Sequence, residues 1–203
     1  METIKAIFFW LGGVIIQPIP ELVVRELYDQ PIENIVIQNR LYLGELIQEL
    51  YIGQIDGRSY CRMAVHQCQS ALEAEDLETK ITHRAALQPL ILETVDTLPS
   101  SYQRWLISDY PAEWFRPIAE RLDLFSCFQE ERLVFTSSCR LTRLVPDIFY
   151  HIVHQSNQSI KDCMIIDSVT PRAIQAVRHG LSSTIFVDAK RLKRDFSLRK
   201  MLA

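Results

Sequence analysis

Ser108 and Asp167 each close an apolar run, and what they can do depends on what closes a third such run, Trp10. A hydroxyl at a strand end just before a helix N-terminus is placed to hold an anion, and Pro111 opens such a helix after Ser108 and Asp109. A carboxylate at the same kind of strand end, as Asp167 is, can serve as a base or hold a cation. Trp10 can serve as neither a base nor a nucleophile. Its indole N–H only donates, and the nitrogen has no basic lone pair with which to attack phosphorus or carbon.

The elements that position these groups follow from hydrophobic patterning. Residues 4–10 are an apolar Ile/Ala/Phe run, broken only by Lys5, that ends in Trp10, with a Gly12-Gly13 turn two residues on. That reads as a strand buried on both faces at the centre of a parallel sheet, whose carboxyl end faces a site. Residues 102–109, 132–136, 161–168 and 183–187 read as further strands. Between residues 17 and 88 the period turns helical. Pro18 and Pro20 break the chain, and Leu22, Val23 and Leu27 then fall at helical spacing. A helix over 41–51 carries Leu43, Leu46, Ile47 and Leu50, with Gly53 as its breaker. Asp56 offers an N-cap for a helix through Met63 and Gln67, and another helix covers 72–84. Helices through Leu90 and Leu98 and beyond Pro111 and Pro146 alternate with the later strands. Thr170 is read as an N-cap with Pro171 at the first helical position, in a helix that stops at Gly180.

Four segments in this order resemble the motifs of the haloacid dehalogenase (HAD) superfamily. Phe9, Leu11, Gly12, Gly13 and Val14 match its first motif, with Trp10 where the nucleophilic Asp stands and Gly12 where a second Asp is common. Ser108 matches the Ser/Thr of the second motif. Arg143, in register with Pro146, Asp147, Ile148 and Phe149, takes the position of the third motif's Lys. Asp167 matches the first carboxylate of the fourth, Ser168 replaces the second, and Ala176 and Gly180 match the helix that follows. The resemblance implies an α/β fold: a three-layer Rossmann-like core with a central, mostly parallel sheet, plus a small all-helical cap inserted after the first strand. Residues 1–16 and 89–203 would form the core and residues 17–88 the cap, where residues 49–56 sit as the family's cap turn does. The helical pattern alone fits equally a mobile cap or a helical bundle packed on the sheet.

The family's reaction starts from the strand-end carboxylate, which forms a covalent intermediate that water then hydrolyses. Magnesium, where required, is held by that carboxylate, a backbone carbonyl two residues on and the fourth-motif acids. This sequence keeps only Asp167 of the carboxylates in that set, which is a poor magnesium site. The resemblance thus implies a vestigial site of Trp10, Gly12, Ser108, Arg143 and Asp167, with no cofactor beyond Mg2+ at any residual family-type site. The leading expectation is a HAD-like pseudoenzyme that binds a small anionic ligand or a protein partner. The alternative is a divergent hydrolase of phosphatase type, with Asp167 or Asp109 as base and Ser108 and Arg143 holding an anion. In a third reading Ser108, Arg143 and the helix N-termini bind phosphate without turning it over, with Ser108, Asp109 and Arg143 as the anion-binding candidates.

Composition sets the outer bounds. The 203 residues suffice for one domain with an insertion, and the formal net charge of −3 gives no general reason to expect nucleic acid. No tract of some eighteen apolar residues occurs, and residues 1–20 lack a secretory pattern, so the expected location is the cytoplasm with no membrane association. Five cysteines without a CxxC spacing read as reduced thiols. His151 and His154 read as solvated, as does the basic face of the tail over 188–202, whose Leu192 and Phe196 dock on the core. Spare apolar residues Ile35, Val36, Leu41 and Leu43 would allow a homodimer through the cap.

Overall fold

The computed structural model describes residues 4–27, 41, 44–142 and 144–202. Arg143, Ile35, Val36 and Leu43, named above, lie outside the described residues. Five parallel strands are ordered β3-β2-β1-β4-β5: β1 Ala6–Trp10, β2 Gln103–Ser108, β3 Leu133–Phe135, β4 Cys163–Asp167 and β5 Ser182–Ile185. Every residue of β1 and of β4 is buried, as the Ile/Phe-rich, non-alternating runs require of strands covered on both faces. β1 is central. Phe9 stands beside Leu106 on one side and Ile166 on the other. The chain runs outward from β1 through β2 to β3, then returns to the far side of β1 as β4, so the ends of β1 and β4 flank the point where strand order reverses.

Before β2 come helices α1 Ile19–Leu27, α2 Glu45–Tyr51, α3 Gly57–Gln67, α4 Ala74–Arg84 and α5 Ile91–Asp96. The later helices are α6 Ala112–Arg121, α7 Thr136–Cys139, α8 Asp147–Ser156, α9 Thr170–Arg178 and α10 Ala189–Leu198. Among the described residues 17–88 there is no strand, and the segment leaves and returns through one neck. There the Gln17 N–H donates to Ala86 O at 3.0 Å, and the Gln88 N–H to Ile15 O at 2.8 Å. This helical block docks on α6: Trp114 Nε1 donates to Glu78 at 2.9 Å, and the Gly57 N–H to Glu113 at 2.9 Å. A Cβ on Gly57 would lie 2.2 Å from Trp114 Nε1, so only glycine admits the indole at that distance.

Several boundaries and roles differ from the sequence reading, each for a local reason. Thr170 is the first helical residue of α9 rather than its N-cap. Val169 takes the cap position, with its N–H held by Asp167 Oδ1 at 2.8 Å. α4 starts at Ala74 rather than at 72, with Glu73 as N-cap, and β5 spans Ser182–Ile185 rather than 183–187, its pairing with β4 ending at Asp167 and Ile185. Leu41 is not spare for a dimer, being fully buried with its carbonyl accepting from the Tyr60 hydroxyl at 3.2 Å. Asp56 caps α3 as expected, accepting from the Ser59 N–H at 2.7 Å. α10 docks through Leu192 and Phe196, while Leu198 stays exposed.

Candidate functional site

Trp10 closes β1 with its backbone still in the sheet, in register with Ile107, and the chain then turns back tightly. Leu11 O accepts the N–H groups of Ile15 and Ile16, and the Gly13 N–H donates to Ile16 O. Gly13 needs its positive φ of 91° for that turn, and a Cβ there would also meet Ser168 Oγ at 2.4 Å. At Gly12 the constraint is contact. A Cβ would lie 2.2 Å from the Tyr110 hydroxyl, which accepts from the Ile19 N–H at 3.0 Å. The space into which a side chain at position 12 would point is therefore filled by a tyrosine that ties the strand end to the start of α1.

The indole of Trp10 is 1% exposed and belongs to the core. Arg172, from the first turn of α9, lies over it with Cζ 5.8 Å from the ring centroid, within cation–π range. The same guanidinium grips Asp167 with two bonds, Nε to Oδ2 at 2.8 Å and Nη2 to Oδ1 at 2.6 Å. The carboxylate is 1% exposed and the arginine side chain 11%. Together with the Val169 N–H, this gives Asp167 three charge-matched or dipolar donors, the satisfied arrangement that a buried ion pair needs.

Of the expected anion-binding residues, Ser108 and Asp109 are described and Arg143 is not. The Ser108 hydroxyl serves its own turn, donating to Tyr110 O at 2.9 Å and accepting from the Tyr110 N–H at 3.1 Å. Asp109 is buried beside it. His151 is half-buried and His154 exposed; no cluster of three metal-ligating side chains occurs among the described residues.

A cavity of about 300 Å³ opens above the strand ends, between the core and the helical block. Gly12, Tyr110, Ser168 and Arg172 form its floor, and Pro18, Gln48 and Tyr51 face them from the other side. Trp10 is not among its lining residues; Arg172 roofs the indole and presents its own outer edge to the cavity. A magnesium ion does not suit this donor set. Asp167 is already bridged by a guanidinium that would repel a dication, Trp10 has no lone pair to give, and Tyr110 occupies the space beside Gly12.

Sequence reading missed Arg172 and Tyr110. A cation in the first turn of a helix opposes the helix dipole, so Arg172 two residues past the start of α9 was a signal that a strong anionic partner lay near. Tyr110 has no comparable signal, because its contact with Gly12 spans the β1 and β2 loops.

Fold and strand-end geometry together define an α/β protein with the fold of HAD-family enzymes. Among solved structures, a HAD family enzyme from Bacteroides thetaiotaomicron, in complex with magnesium and inorganic phosphate, superposes with a TM-score of 0.70 at 14% identity, over 90% of this chain and 93% of that one. A predicted HAD-like family hydrolase from Porphyromonas gingivalis gives 0.72 at 17% identity, over 99% and 100% of the two chains. The L-2-haloacid dehalogenase from Xanthobacter autotrophicus, with chloropropionic acid covalently bound, gives 0.68 at 15% identity, over 98% and 85%. No protein-family model matches the sequence, and no curated protein does.

Proposed function

We propose that this chain is a HAD-fold protein without phosphoaspartyl chemistry, which binds a small ligand in the cavity between the helical block and the strand ends. The observation that carries this reading is Trp10: the position from which a carboxylate would attack holds a buried indole, packed into the core. The helical block, residues 17–88, acts in this reading as a cap whose Pro18, Gln48 and Tyr51 complete the binding cavity. Among the described lining residues Arg172 is the one cation, and it is already paired with Asp167. That favours a ligand recognised by shape, aromatic contact with Tyr51 and Tyr110, and hydrogen bonds from Gln48 and Ser168, rather than by a phosphate cradle. The Gln48 side-chain oxygen is buried without a hydrogen-bond partner, so it asks the ligand for an N–H or O–H. Free thiols at all five cysteines support a reducing, cytoplasmic setting, and no helix among the described residues is long and apolar enough to cross a membrane.

The divergent-hydrolase alternative draws less support, since Asp167 and Ser108 are both engaged by their neighbours. The test pairs activity with binding. With magnesium present, p-nitrophenyl phosphate and 2-chloropropionate should not be turned over by the native protein or by Trp10→Asp. Turnover by the native protein that Asp167→Ala abolishes would overturn the reading. Small molecules that the native protein retains from a cell extract should be lost in Leu144→Trp, which fills the cavity from an exposed position. Equal retention by both proteins would remove the cavity from the proposal.

A further inference from the structure

We infer that the ends of β1 and β4 form a cation site whose occupant is part of the chain itself, the Arg172 guanidinium. The inference deepens the proposal above and rests on its premise that no magnesium binds there. Three features make the site specific for a planar monocation. Asp167 offers its two oxygens in the spacing of a guanidinium fork, at 2.8 and 2.6 Å. The Trp10 ring supplies an aromatic face 5.8 Å from the guanidinium carbon. The Val169 N–H holds Oδ1 at 2.8 Å, an orienting bond that does not involve the cation. Nothing else about the start of α9 invites a cation, because the helix dipole there is positive. Burial then makes the pairing obligatory: a carboxylate 1% exposed cannot remain charged and unpartnered at low cost.

The tethered group therefore replaces two things at once. It neutralises the one fourth-motif carboxylate that the chain retains, and it walls the indole off from the cavity above. A ligand entering that cavity meets the outer edge of an already neutral pair rather than a free charge.

If Arg172 is the occupant of a built site, removing its side chain should vacate that site for a free cation of the same shape. Thermal unfolding of Arg172→Ala should occur well below the native midpoint, and millimolar methylguanidinium should restore most of the loss. Sodium chloride, tetramethylammonium and magnesium at matched ionic strength should not restore it. The native protein should be insensitive to all four, and adding Asp167→Asn to Arg172→Ala should abolish the rescue. Arg172→Lys, which keeps the charge and loses the fork, should melt between the native protein and Arg172→Ala, and it serves as the second variant if the alanine form does not fold. No rescue of Arg172→Ala, or a lysine variant as stable as the native protein, would overturn the inference while leaving the metal-free reading standing. Magnesium stabilisation of the native protein would overturn both.

Discussion

β1 and β4 are neighbours in register, both wholly buried, and they end side by side where strand order reverses, yet they finish in opposite kinds of residue. β4 ends in Asp167, a carboxylate, and β1 in Trp10, an apolar ring. A scaffold that needs an external cation would keep acids at both ends. Here one acid remains, and a side chain five residues further along the chain neutralises it while lying on the neighbour's ring. The charge of Asp167 is thus balanced within the polypeptide. Restoring Asp at position 10 alone would place a second carboxylate beside an occupied pair, with Tyr110 still filling the space next to Gly12.

The largest expected effect breaks the balance between the two ends. Arg172→Ala leaves a buried carboxylate uncompensated and should cost about 3–5 kcal/mol, the usual penalty for removing one partner of a buried pair. For a domain of this size that lowers the melting midpoint by roughly 6–20 °C, read by calorimetry. Asp167→Leu combined with Arg172→Met removes both charges and keeps the volume, and should return to within about 1–2 kcal/mol of native stability. If the double variant is as unstable as the single one, charge balance is not what joins the two strand ends.

A smaller effect tests the β1 end by itself. Gly12→Ala puts a methyl group 2.2 Å from the Tyr110 hydroxyl, an overpacking that should cost about 1–3 kcal/mol in chemical denaturation. Tyr110→Leu in the same background should recover part of that loss, because the two positions share one space and their effects should not add. Simple additivity would show that the loop moves aside and that Tyr110 does not define the position 12 side of the site.

The comparison also separates what the sequence discloses from what it hides. Strand identity at β1 and β4 was legible because strands buried on both faces carry continuous apolar runs, and their order along the chain matched a known motif series. That β1 ends in a residue without a basic lone pair, Trp10, was legible from residue type alone. The partnership of Asp167 was only half legible: Arg172 opposes the dipole at its helix start, but the sequence does not say which anion it meets until the fold brings it over the ring. Ser108 was ambiguous for a related reason. A strand-end hydroxyl is equally suited to an anion or to its own turn, and the Tyr110 backbone claims it here. Leu41 looked available because one of its partners, Tyr60, lies 19 residues on, in α3.

A change remote from both strand ends sets the baseline against which those effects are judged. Asp56 caps α3 in the helical block, and its carboxylate is held below the ordinary aspartate range chiefly by the bond from the Ser59 N–H. Asp56→Ala should cost about 1 kcal/mol, the common value for a lost N-cap. Because the folded-state value is depressed, the contribution is present above the unfolded aspartate pKa of about 3.9 and is lost as pH falls through the lower folded value. Asp56→Asn, which caps without titrating, should keep most of the stability at neutral pH and flatten that acid limb. If either Asp56 variant altered the methylguanidinium response of Arg172→Ala, the strand ends and the helical block would be coupled, and the balance between Trp10 and Asp167 would not be a local property of the sheet.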